Sequence, residues 1–138
     1  MRCMTSKDMT TEAPSATTVD ARAALEAAWQ VERHAAIMAR RAGEAHGEWH
    51  HLERAHILSQ PLAGLHLRTH RAMFAAAVRG RDGHEIVGQM LRLVLAVPGS
   101  VSRRYPAGNT GGADVSAFLP MAVPDDLRPL LLALGGAA

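Results

Sequence analysis

Five of the eight histidines in this chain fall within twenty-one residues: His50, His51, His56, His66 and His70. The stretch GEWHHLERAHILSQP, residues 47–61, also carries Glu48 and Glu53, and HLRTH, residues 66–70, follows closely. Neutral imidazole suits zinc, copper, nickel and iron, and a carboxylate adds charge and a hard oxygen. Spacing decides which of these residues can meet. On a helix, residues three or four apart share a face. Trp49, Glu53, His56 and Gln60 therefore form one stripe, which contains a Glu-x-x-His pair. His66 and His70 sit four apart, and Met73 and Ala77 continue their line.

If the two segments form a helical hairpin, His56 and His66 face each other near the turn. Glu53 and His70 then lie one turn further from it. The expected metal ligands are Glu53, His56, His66 and His70, around a divalent transition metal. Four such groups fill a tetrahedral shell; if one stays outside, a position opens for water or substrate. His51 lies about 140° around the helix from His56 and is a less natural ligand. Glu32, on the preceding segment, is the expected catalytic base, with Glu53 as the other candidate. The bland alternative is that these histidines are simply hydrogen-bonded or solvated.

Several metal motifs are excluded. Glu48-x-x-His51 overlaps the first Glu-x-x-His on one helix, whereas a di-iron carboxylate centre needs such pairs on different helices. His-Glu-x-x-His is absent; residues 84–88, HEIVG, end in Gly88 where the second histidine is needed. Cys3 is the only cysteine, so the chain holds no disulfide framework and no multi-cysteine zinc site.

The elements that must position these groups are helical. Residues 1–18 carry little apolar bulk and read as a disordered tail preceding one domain over residues 19–138. Asp20 can cap a first helix over residues 21–42, where Ala24, Ala28, Val31, Ala35 and Met38 recur at helical spacing and Gly43 closes. A second helix spans about 44–59 and stops at Pro61. A third runs from about 61 to 78. Asp82 can cap a fourth over about 84–97, closed by Pro98-Gly99. On that helix Glu85, Gln89 and Arg92 share a line, which is either a solvated polar face or a wall that holds groups behind the site. No strand pair is evident. Paired helices with short turns are compatible with about two tetratricopeptide-like hairpins, although that repeat signature is missing.

The remainder changes character. Pro106, Pro120 and Pro124 and the glycines 108, 111 and 112 bar a long helix. PAGNTGGADVS lacks the phosphate-loop ending and the dinucleotide fingerprint. It is either a structural turn or a flap that covers a site. A short terminal helix is expected over about 125–134.

Composition bounds the rest. The chain has 138 residues, 48% apolar but only 4% aromatic, as suits helices packed on small side chains. Fifteen basic against 13 acidic residues leave a formal charge of +2. The arginines occur in scattered pairs, so nucleic-acid binding is not expected. No secretory leader or membrane span is evident, and the cytoplasm is the expected location. An Ala-rich first helix can pack against a second copy.

WHHLERAHILSQP, HLRTH, RDGHEIVGQMLRL and YPAGNTGGADVSAFLPMAVPDDL together resemble a bacterial family known only as domain-of-unknown-function family 3703. The resemblance covers about residues 49–127. It implies a small helical protein and assigns no activity and no catalytic residue. Taken together, these readings point to an all-α chain of two helical hairpins with a Gly/Pro-rich arm. The expected function is metal binding, leaning to a metal-dependent enzyme acting on a small-molecule substrate. The alternatives are a non-catalytic metal-handling protein and a metal-free interaction module.

Overall fold

The computed structural model describes residues 16–101 and 106–135. Five helices follow one another: α1 (Ala16–Arg41), α2 (Ala45–Ser59), α3 (Ala63–Gly80), α4 (Gly83–Val101) and α5 (Arg128–Ala133). No strand occurs among the described residues. α1 packs on α2, α3 on α4, and α2 on α3, which gives two hairpins side by side; α5 returns to α1.

The turns explain why the helices end where they do. Gly43 adopts φ 77°. The Gly43 amide donates to the Arg40 carbonyl at 3.1 Å, and the Glu44 amide to Ala39 at 2.9 Å. This is the double bond of a Schellman cap, which satisfies carbonyls that the helix leaves open. α3 closes in the same way, with Arg81 at φ 56° and Asp82 donating to Ala77 at 3.0 Å. The left-handed residue is thus Arg81, not either flanking glycine. Asp82 then caps α4, because its Oδ1 accepts the Glu85 amide at 3.0 Å.

Three expectations change. The chain is already helical at Ala16, so Asp20 lies inside α1 and does not cap it; residues 1–15 of the expected tail lie outside the described residues. α4 runs through Pro98 and Gly99 to Val101. A proline there forgoes one amide, but it falls in the last turn, where little helix remains to be disrupted. The buried stripe of α1 is Leu25, Trp29, Glu32, Ala36 and Ala39, whereas Val31 and Met38 are exposed. The helix is turned by about one residue, because Leu25 and Trp29 offer more apolar area than an alanine row.

The core forms in two parts. Leu25, Trp29, Ala55, Ile57 and Leu58 pack with Val123, Leu127 and Leu131 of the chain end. Ala36, Leu52 and Met73 form the second part. The C-terminal arm is therefore anchored in the core by Val123, Leu127 and Leu131, and its glycine-rich middle is held against the hairpins. Leu25→Ala should cost about 2–5 kcal/mol in urea unfolding, as buried Leu-to-Ala changes do. Val31→Ala should shift stability by less than about 0.5 kcal/mol. Equal costs at the two positions would contradict the observed orientation of α1.

Candidate metal centre

α2 contributes His56 in its last turn, and α3 contributes His66 and His70 on one face. The three rings are buried, with relative exposures of 2%, 6% and 2%. Their Nε2 atoms converge. His66 Nε2 lies 2.9 Å from His56 Nε2, which lies 3.2 Å from His70 Nε2. The ring centroids are 4.7–4.8 Å apart. Tetrahedral zinc with Zn–N bonds near 2.0–2.1 Å holds its ligand nitrogens about 3.3 Å apart. The two spacings to His56 Nε2 are near that value, and the ligand atoms of all three histidines lie within 4.8 Å of one another.

The far side of each of two rings settles its tautomer. His56 Nδ1 lies 2.7 Å from the Asn109 carbonyl oxygen, which can only accept, so Nδ1 carries the proton. His70 Nδ1 lies 2.7 Å from Gln89 Oε1. The Gln89 amide cannot be reversed: its Nε2 donates to Glu85 Oε1 at 2.6 Å and to the Gly111 carbonyl at 2.7 Å. Oε1 must therefore be the atom facing His70, and His70 Nδ1 also carries the proton. In the neutral rings, both Nε2 atoms then present lone pairs to each other. Burial depresses the His56 pKa well below its ordinary value, helped by His66 and His70. Burial likewise brings His70 down to about 4 from 6.5. Both shifts favour the neutral rings near neutral pH. A cation can bridge lone pairs that face each other in a buried site, and three imidazole nitrogens are a donor set for a transition metal.

The arm is built around these rings. Asn109 is buried, and its Nδ2 donates to the Ser116 and Leu119 carbonyls, each at 2.8 Å. The Gly111 amide donates to Asn109 Oδ1 at 3.0 Å. Gly111 has φ 83°, and a Cβ there would stand 2.7 Å from ring atoms of His56. Only glycine lets the backbone lie this close to the imidazole. α4 clamps the arm from the other side. Glu85 Oε2 accepts the Ala113 amide at 2.8 Å, and Arg92 donates to the Gly112 carbonyl at 2.8 Å and to that of Val115. Gly88 permits this approach, since a Cβ there would meet the Ala113 Cβ at 2.5 Å. Glu85, Gln89 and Arg92 are all buried, so they form a wall behind the site and not a solvated face.

Among the described residues, His56, His66 and His70 are the group whose ligand atoms come together; Glu53 is not part of it. Glu53 is half-buried and accepts from Trp49 Nε1 at 3.2 Å, and desolvation raises its pKa. The expected base, Glu32, is engaged elsewhere. Its two oxygens pair with His51 Nδ1 at 2.8 Å and with Arg54 Nε at 2.7 Å. Arg54 also reaches Asp126 at 2.5 Å. Glu32 thus joins α1, α2 and the chain end. The groups at the rings that the sequence did not reveal are the Asn109 carbonyl and the Gly111 backbone. The glycine-rich run marked the segment, but no local signal shows that it lies against His56.

The family described as "Protein of unknown function (DUF3703)" matches residues 23–131. The chain belongs to this family. The match reaches beyond the motif-bearing region into α1. Comparison with curated proteins and with solved structures found no match.

The depressed pKa of His70 has a consequence for the metal-free protein. The unfolded chain binds its proton near pH 6.5 and the folded chain only near pH 4. Between these values the unfolded state holds more protons, so stability falls as pH falls. Urea unfolding in chelator should show this loss from about pH 6.5 toward about 4, and a shallower loss in His70→Gln. Identical slopes for the two proteins would contradict a buried neutral His70. Gly111→Ala should destabilise by about 1–3 kcal/mol, through both the left-handed backbone and the ring contact.

Proposed function

We propose that this chain is a metal-binding protein in which His56, His66 and His70 hold one divalent transition-metal ion between α2 and α3. The observation that carries the reading is the pair of tautomer-fixed imidazoles whose Nε2 lone pairs face each other at 3.2 Å. A proton resolves that conflict poorly, because burial lowers the basicity of both rings. An ion bound by both nitrogens, with His66 as third ligand, resolves it fully.

Three protein nitrogens leave one position of a tetrahedral shell open. That incompleteness supports a metal-dependent enzyme acting on a small molecule over a protein that only stores the ion. When bound, such an ion polarises a ligand oxygen or lowers the pKa of a coordinated water. The protein's own part is to fix the ligands. The Asn109 carbonyl and Gln89 Oε1 orient His56 and His70 through hydrogen bonds to their distal N–H groups, which also makes the rings better donors. The arm from Asn109 to Gly112 keeps bulk water from the rings. Glu53, one turn from His56 and with a raised pKa, is the carboxylate best placed to exchange a proton near the site.

Elemental analysis of protein purified without chelator should find one transition-metal ion per chain. His66→Ala and His70→Ala should lose it, whereas Glu53→Gln should retain it. Gln89→Leu should weaken metal affinity about 10–100-fold, the usual effect of removing a partner behind a histidine ligand. Metal-free wild type with full occupancy attempted, or equal metal in the histidine variants, overturns the reading.

A further inference from the structure

α1 and α3 are the first helices of the two hairpins and run parallel, and a groove lies between them. Three recesses of about 520, 390 and 130 Å³ occupy it in sequence. The first two share Trp29 and Arg68, and the last two share Arg33 and Ala72, so the recesses adjoin along one groove. Its walls carry six arginines: Arg22, Arg33 and Arg40 from α1, and Arg68, Arg71 and Arg79 from α3. Two carboxylates line the same channel, and each is already spent. Glu26 pairs with Arg22 at 2.8 Å, and Glu48 with Arg79 at 2.5 Å. Six arginines less two glutamates leave four positive charges. No carboxylate lies within ion-pair distance of Arg33, Arg40, Arg68 or Arg71 among the described residues, and Glu48 acts on Arg33 only at longer range.

Guanidinium groups on two facing walls suit planar anions bound through paired hydrogen bonds. Arg33 is only partly exposed, and burial lowers its pKa, an effect that Glu48 opposes. The floor between the walls is apolar, with Ala36, Ile37, Leu65 and Ala72. From Arg22 to Arg40 the groove follows eighteen helical residues, about 27 Å. An extended chain covers that distance with about eight residues.

We propose that the α1/α3 groove binds an acidic peptide segment of a partner protein, with carboxylates on the arginine walls and apolar side chains on the floor. This site is separate from the histidine cluster and does not depend on a metal there. A single nucleic-acid strand fits less well. Such strands bind by stacking bases on exposed aromatic rings. The one aromatic residue lining the channel, Trp29, is buried, and its Nε1 is committed to Thr69 Oγ1 at 2.9 Å. An apolar floor offers a phosphodiester chain nothing, while it matches alternate side chains of a strand-like peptide.

The test is fluorescence anisotropy of the full chain with a labelled eight-residue peptide of alternating Glu and Val, at about 0.15 M salt. A Lys/Val peptide and a ten-residue oligouridylate serve as the other arms. The acidic peptide should bind, and the other two should not compete with it. Arg40→Glu combined with Arg68→Glu should weaken binding at least ten-fold. The corresponding double change to Gln should weaken it about three-fold, and Arg41→Glu, outside the channel, should leave it within two-fold. Far-ultraviolet circular dichroism and metal content should match wild type in all variants. No binding of the acidic peptide overturns the proposal, as does equal binding by wild type and the Gln variant if the Glu variant does not fold. Tighter binding of the oligouridylate, lost in the same variants, overturns it in favour of nucleic acid.

Discussion

The amide of Gln89 holds the centre of this structure together. Its nitrogen is fixed by an acidic oxygen of Glu85 and by the Gly111 carbonyl, so its oxygen has no choice but to accept from His70. One buried side chain thereby joins α4, the arm and α3 and assigns a proton to a ring. Buried polar groups tolerate few unsatisfied atoms, so each partner in this set constrains the next. The Asn109 carbonyl does the same for His56 from the other side. What remains inside is a space where two nitrogen lone pairs and a third imidazole meet.

The glycine-rich arm is what makes that enclosure possible. It has almost no regular secondary structure of its own, yet its backbone supplies acceptors to His56, Gln89 and Arg92. A segment with side chains at 108 or 111 could not lie so close, since a Cβ would strike the Met121 carbonyl or the His56 ring. The apolar anchor of Val123, Leu127 and Leu131 keeps the arm in place. The site and the fold are therefore one construction: the packing that buries the chain end also presses the arm onto the histidines.

Charge is divided between the two hairpin surfaces. Glu32, His51, Arg54 and Asp126 form a closed set in which each charge has a partner. The α1/α3 groove, by contrast, carries four arginines with no carboxylate at ion-pair distance among the described residues. Such an imbalance is invisible in a net charge of +2, because the compensating acids lie elsewhere. The Arg pairs noted along the sequence are not the relevant unit; Arg33 and Arg40 on one helix and Arg68 and Arg71 on the parallel one are.

Local periodicity and turn chemistry were enough to read the helical class, four main helices and the hairpin that brings His56 to His66 and His70. Those features depend on residues close in sequence, where helix geometry alone fixes which side chains share a face. The same reasoning placed Glu53 with the histidines and Glu32 at the site; the structure gathers the three histidines without Glu53 and pairs Glu32 with His51 and Arg54, for one reason. A stripe identifies neighbours along a helix but not the angle at which the helix meets its partner. α1 is oriented by the burial of Leu25 and Trp29, which turns Glu32 toward Arg54 and His51. Glu53, one turn from His56, points to Trp49 and the arm. The choice between a solvated face and a buried wall for Glu85, Gln89 and Arg92 was likewise open until the arm folded over α4. Contacts between residues twenty to seventy positions apart decide these matters, and they arise only when the whole chain closes around its core.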